Sequence, residues 1–426
     1  MKNILLGLFV VTLFGCEKVG PDSYRFKTRD KDPIQIITQP IVSTNKQIEK
    51  LPIGHYFGKT SYELKTAQSF INIDSLRTVF NIQSIGEFNG SNNLGFVYVD
   101  MNNDGFEDIF YPYSSDGEIL TKPDVFLFNG VSYIKDNSML PTEYKGNQTT
   151  RKTIVGDFNN DSLPDLFLIN HGYENPSTNY FPLEKNTLLL SDKTSGKYKL
   201  GDLSMLGKDF WHGGASGDLN GDGNIDIILS SGKPILLLGN GKGGFTKQNV
   251  DFKNDNLGAY ITIEIMDVDR NGTNDIVMSG DEGQRSTNMV AKSTILLNNN
   301  LIFQKLDITE PNILGWKLVM DIAVEDIDGD GVKEIFLCRT RDNTAVWFNG
   351  YTINIYKKVG NGYQDVSERF IKSNRFIKSD RNYAGFWMYQ MHLKKEKDGL
   401  YSIYGHITQQ DKFQYWKQNP TTKTFE

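Results

Sequence analysis

Several short stretches of this chain place carboxylates and amides at a fixed alternation. The clearest reads Gly217-Asp218-Leu219-Asn220-Gly221-Asp222-Gly223-Asn224-Ile225-Asp226-Ile227. Counted from Asp218, oxygen-bearing side chains fall at positions one, three, five and nine: Asp218, Asn220, Asp222 and Asp226. Gly223 stands at position six, where a tight turn needs a residue that tolerates positive φ. Alternating ligands of this kind suit a hard cation that takes about six to eight oxygens. An EF-hand would need a flanking helix on either side. Here the loop ends at position nine and enters the apolar, β-branched run 225–229. The chemistry is that of a metal-clamped turn between two strands.

The pattern recurs, starting at Asp100, Asp157, Asp218, Asp267 and Asp326, with spacings of 57, 61, 49 and 59 residues. Ser162 replaces the glycine of the second copy, and Glu334 closes the fifth. Similar elements must position every copy. A short strand-like run precedes each loop, as at 96–99 and 261–265, and another follows, as at 109–111 and 276–278. A third apolar run comes at 125–128, 188–190, 235–238, 295–297 and 353–356. A fourth is marked by one aromatic: Tyr133, Tyr198, Phe245, Phe303 or Tyr363. Four short antiparallel strands repeated radially make a β-propeller blade, so the expected fold is all-β.

Beyond the fifth loop the rhythm continues without its metal chemistry. An inner strand is expected at 386–391, lysines displace ligands at 394–399, and 413–416 with Phe425 closes the blade. Upstream, 70–73 and Phe80 mark a degenerate blade at about 46–90. The expected ring has seven blades, 46–90 and six repeats over 91–426. Six, with the N-terminal part as an addition, is the alternative.

These loops, each between the first and second strands of a blade, resemble the FG-GAP/VCBS repeat family, which includes the integrin α-chain propeller and many secreted bacterial proteins. The resemblance implies Ca²⁺ at about five sites. Its ligands carry over to Asp100, Asn102, Asp104 and Asp108, then to Asp157, Asn159, Asp161 and Asp165. The third set is Asp218, Asn220, Asp222 and Asp226, and the fourth Asp267, Asp269, Asn271 and Asp275. Asp326, Asp328, Asp330 and Glu334 form the fifth. Position seven (Phe106, Leu163, Asn224, Thr273, Val332) would give only a backbone carbonyl. Five Ca²⁺ would carry the formal charge from −6 to +4, so the acidity reads as metal-binding chemistry.

That charge, with no basic stripe, excludes a nucleic-acid binder. Two cysteines cannot make a disulfide framework, and Cys338, in an apolar run, reads as a buried strand residue. Lys2 and the apolar stretch 4–14 read as a signal peptide over 1–15. Leu13-Phe14-Gly15-Cys16 resembles the lipobox of bacterial lipoproteins, with Cys16 the lipidated residue. Glu17 in place of aspartate points to the outer membrane, and 16–45, with three prolines, reads as a flexible tether.

Inner strands should end at the loops, so their starts should ring the opposite mouth. Those positions hold Arg151, Lys152, Trp211, His212, Tyr260, Trp316, Lys317, Tyr383 and Trp387. They suit a sugar, peptide or anionic ligand, or else fill the core between blades. The leading expectation is a binding or adhesion module for protein or glycan that does no chemistry. The alternative is a glycan-active enzyme like the propeller polysaccharide lyases, or an accessory subunit of one, with His212 or Lys152 as base.

Overall fold

The computed structural model describes residues 16–20, 23–26, 95, 97–106, 108–113, 119–129, 133–173, 182–231, 233–248, 260–282, 291–308, 316–341, 349–371, 387–396, 398–407 and 412–426. The expected signal peptide and the expected blade at 46–90 lie outside them. Within the segment read as a tether, β1 (Cys16–Gly20) pairs antiparallel with β2 (Ser23–Phe26).

The remaining strands form meandering antiparallel sheets in chain order. The first is β3 (Val97–Val99), β4 (Asp108–Tyr111), β5 (Asp124–Phe128) and β6 (Tyr133–Lys135). The second is β7 (Thr150–Gly156), β8 (Asp165–Asn170), β9 (Thr187–Asp192) and β10 (Lys197–Leu200). The third is β11 (Gly213–Gly217), β12 (Asp226–Ser231), β13 (Lys233–Gly239) and β14 (Phe245–Gln248). The fourth is β15 (Tyr260–Met266), β16 (Asp275–Gly280), β17 (Thr294–Asn299) and β18 (Ile302–Asp307). The fifth is β19 (Leu318–Glu325), β20 (Glu334–Arg341), β21 (Asn349–Val359) and β22 (Gly362–Asp365), followed by the short helix α1 (Ser367–Phe370). The sixth has three strands, β23 (Met388–Lys395), β24 (Tyr401–Ile407) and β25 (Lys412–Lys417). Phe425 bridges Gln418 beside it, so the closing aromatic contributes a bridge instead of a strand.

Burial explains why these sequences make these strands. Every residue of β8 and β16 is buried, because a sheet packed on both faces admits continuous apolar runs. In the fourth strands β10, β14 and β22 all residues but one are exposed, and the buried one is Tyr198, Phe245 or Tyr363. Each apolar cluster is shared by consecutive sheets. Ile154, Phe167 and Leu188 of the second sheet pack with Ile227, Leu237 and Phe245 of the third. Val277 and Ile295 of the fourth meet Ile322, Leu337 and Tyr356 of the fifth. Cys338, fully buried in β20, belongs to the cluster joining the fifth and sixth sheets. The first strands lie side by side, β7 against β11, β11 against β15, β15 against β19, and β19 against β23. An all-β chain of four-stranded sheets stacked through their inner strands is the architecture of a β-propeller.

Candidate functional site

Every one of the loops spans the turn from first to second strand, and position nine is always the first residue of the second strand. The wrapping comes from the loop's own side chains. In the first loop Asp100 accepts the N–H groups of Asp104 (3.0 Å) and Gly105 (2.9 Å), while Asp104 accepts that of Phe106 (2.9 Å). Asp157, Asp218 and Asp267 hold positions five and six of their loops in the same way. In the fifth loop Asp326 takes the N–H groups of Gly329 and Gly331. The carboxylate at position one therefore draws the backbone around a centre before any ion is considered.

Positions four and six are left-handed in all the loops. Position six holds Gly105, Ser162, Gly223, Gly272 and Gly331, and position four Asn103, Asn160, Gly221, Arg270 and Gly329, with φ between 56° and 93°. The glycine at position six was legible in the sequence. The requirement at position four was missed, although its signal is there: asparagine and glycine are the residues that reach this region most easily. Ser162 and Arg270 adopt it without that ease.

Position nine is fully buried in every loop. Asp226 accepts the N–H of Leu219 within the loop and of Gly239 on the third strand, both at 2.9 Å. Asp108, Asp165 and Asp275 bracket their loops identically, to Met101 and Phe128, Phe158 and Ser191, and Val268 and Asn298. Burial pushes these carboxyls up, Asp108 to about 8, Asp165 to about 7, and Asp226 and Asp275 to about 6. Neighbouring aspartates in the loop add to that rise, Asp104 and Asp100 for Asp108, and Asp222 and Asp218 for Asp226. Each of these four loops is thus short of positive charge at its buried end, which is what a bound cation would supply. Oxygens of Asp267, Asp269 and Asp275 lie within 4.8 Å of one another, as do those of Asp326, Asp328 and Glu334. These acidic clusters fit a metal ion by donor type and spacing.

The fifth loop differs in one respect. Lys357 Nζ lies 2.8 Å from Asp328 Oδ2, 2.8 Å from Asp330 Oδ2 and 2.5 Å from Glu334 Oε1.

Residues 218–278 match the FG-GAP-like repeat. The matched segment begins at the third loop, crosses β12 to β15 and the fourth loop, and ends in β16. No curated protein matches the chain. The family resemblance read from the loops is thereby borne out for one repeat, together with the all-β, blade-like fold.

Neighbouring loops are tied to one another. Asn160 Nδ2 of the second donates to Asn224 Oδ1 of the third (3.1 Å), and Asn274 Nδ2 of the fourth donates to the Asp218 carbonyl (2.9 Å). In the second, third and fifth loops the carbonyl at position two is capped from the following blade. Gly243 N–H caps Phe158, Asn298 Nδ2 caps Leu219 and Gln418 Nε2 caps Ile327.

At the other ends of the inner strands, the residues read as a binding mouth divide. Trp211, Tyr260, Trp316 and Trp387 are at most 4% exposed. Trp211 belongs to the core between the second and third sheets, Tyr260 to that between the third and fourth, and Trp387 packs on Leu318 and Met320. This corrects the expectation that they line an open mouth: the apolar surface of a large aromatic is worth more inside, and these four are packing residues. Lys152 is buried as well. Its Nζ donates to the Gly214 carbonyl at 2.5 Å and stands 3.6 Å from Glu264 Oε1, and desolvation holds its pKa below the usual lysine value. It reaches across β11, whose Gly213 and Gly214 present no side chain in the way. Tyr383 lies outside the described residues.

Arg151, His212 and Lys317 remain half-buried. Phe210, not singled out in the sequence, joins them; its ring stacks on His171 at 4.7 Å and meets His212 edge-on at 4.6 Å. Burial, and then the charge of Arg151, drives both histidines well below their ordinary pKa, so the rings are neutral. Register shifts near the starts of β7, β15, β19 and β23 re-aim side chains at this end. Below Trp316, whose carbonyl accepts from Arg339, the fully buried Arg339 pairs with Glu282, and Glu282 also accepts the Ser293 hydroxyl (2.5 Å).

Proposed function

We propose that this protein is a calcium-stabilised β-propeller that binds a protein or glycan partner and is held at the bacterial outer membrane through lipidated Cys16. The observation that carries this reading is the division of labour along the inner strands. One end of the first five holds a loop with a buried carboxylate at position nine, and at the other end of β7 and β11 Arg151, Phe210 and His212 come together, half-buried. Oxygen-only donors in an irregular loop favour calcium over zinc or copper, and the loops lie at the turns between first and second strands, so the ion's role is structural. The cationic and aromatic groups opposite are the kind that hold a sugar ring or an anionic group.

A glycan array probed with the purified chain and with a Phe210→Ala, Arg151→Ala variant tests the binding face. Binding lost by the variant at unchanged melting temperature supports it. Turnover of any bound glycan would overturn the binding-only reading and favour a glycan-active enzyme. Calcium is tested separately by melting with and without chelator: a shift below about 1 °C refutes occupied loops, because ligands that bind only the folded state must raise its stability.

A further inference from the structure

The loops share a register on the third strand that singles out the fifth. The pairs Ile109–Phe126, Leu166–Leu189, Ile227–Leu237 and Ile276–Leu296, carried one residue on, set Leu127, Leu190, Leu238 and Leu297 opposite position nine. In antiparallel pairing, opposed residues project on the same side of the sheet, so each leucine lies beside its loop. The pair Ile335–Tyr356, carried on likewise, sets Lys357 opposite Glu334. Lysine thus stands where the other four blades have leucine, and the carboxylate facing it is the one glutamate at position nine.

The side-chain geometry matches that exchange. The ammonium contacts the carboxylates of positions three, five and nine at 2.5–2.8 Å, and Arg369 Nη2 reaches Asp328 Oδ2 at 3.0 Å. Lys357 is buried with Asp328 and Glu334, so those two contacts are not screened surface pairs, whereas Asp330 is half exposed. A calcium ion needs the same oxygens at about 2.3–2.6 Å, which is the space the ammonium fills. Among the described residues no cationic side chain sits among the ligands of the first four loops in this way; Lys193 reaches only the Asp161 carbonyl, at 3.5 Å.

We propose that Lys357 is a built-in cation that replaces the metal ion of the fifth loop, so that the fifth loop takes no calcium and the leucine-bearing loops do. The inference rests on the calcium reading of those first four loops. Charge balance is supplied by the fold itself at this blade, and the turn there stays wrapped in the absence of calcium.

The test counts calcium bound per full-length chain by equilibrium dialysis with metal analysis, in four proteins. Asp218→Asn should bind one ion fewer than wild type; if it does not, the calcium reading of the third loop fails. Asp326→Asn, at a position Lys357 does not touch, should match wild type, and loss of one ion would overturn the inference. Lys357→Leu, the residue of the other blades, should bind one ion more than wild type; an unchanged count would overturn it. If Lys357→Leu does not fold, the Asp326→Asn count alone decides, since it reports directly whether the fifth loop holds an ion.

Discussion

Removing one partner of the Arg339–Glu282 pair tests how the fourth and fifth blades are joined. Side-chain exposure is 1% for Arg339 and 2% for Glu282, and the carboxylate also takes the N–H of Ser293 at 3.2 Å and its hydroxyl at 2.5 Å. Glu282→Ala therefore strands a buried guanidinium and two serine donors. Breaking a buried pair from one side costs about 3–5 kcal/mol, because the surviving charge keeps its desolvation penalty and loses its compensation. Unfolding entropy of about 2.1 cal/mol/K per residue over 91–426 translates this into a melting temperature lower by roughly 4–7 °C. Adding Arg339→Met removes the stranded charge, so the double variant should recover at least half of that loss. Calorimetry of the wild type, the two single variants and the double variant completes the cycle. The reasoning is refuted if Glu282→Ala melts within about 1 °C of wild type, or if Arg339→Met makes the Glu282→Ala protein still less stable.

Three further perturbations probe other parts of the fold. Ser162 is held at φ 71° where the other loops have glycine; Ser162→Gly should raise stability by about 0.5–1 kcal/mol, read by denaturant midpoint, since relief of left-handed strain exceeds glycine's extra unfolded-state entropy. Asp226→Asn should lower the melting temperature in calcium, where a ligand and an acceptor are lost. Under chelation at pH 8 it should change little or rise, because burial lifts this carboxyl to about 6 and the wild type then carries an uncompensated buried charge; an equal drop in both conditions would show that Asp226 serves only as a bracket. His171 and His212 have folded pKa values depressed below the unfolded value of about 6.5. Their contribution is present above pH 6.5 and is lost as pH falls toward the folded values, at no more than about 2.7 kcal/mol per pH unit for the pair. The His171→Asn, His212→Asn double variant should therefore lose less stability than wild type between pH 6.5 and 5.5, and parallel urea-midpoint curves would refute this.

The loops and the blade order were legible because they are local: ligand spacing, the position-six glycine and the strand runs around them all lie within one repeat. The bracketing role of Asp226 was hidden, since Gly239 on the third strand must be brought beside it before the second hydrogen bond exists. Lys357 was hidden for the same reason, being 23 residues from Glu334 and meaningful only once the β20–β21 register is known. The mouth was misread at Trp211, Tyr260, Trp316 and Trp387. Sequence position tells which end of a strand a residue occupies, but not whether the next blade covers it. Lys152 shows the converse, a charge that reads as exposed yet threads under a glycine strand to Glu264.

The caps on the position-two carbonyls of the second, third and fifth loops give the run of blades a direction. Leu219 waits for Asn298, 79 residues further on, and Ile327 for Gln418, 91 residues further on. A chain leaving the ribosome would complete these caps only after the following blade had emerged, so closure of such a loop should trail synthesis by one blade. The fifth loop carries its own ammonium at its centre, but its cap comes from Gln418, beyond the last strand of the sixth blade. A protease cut within the sixth blade would therefore be felt one blade upstream of the break, at the turn that Gln418 closes.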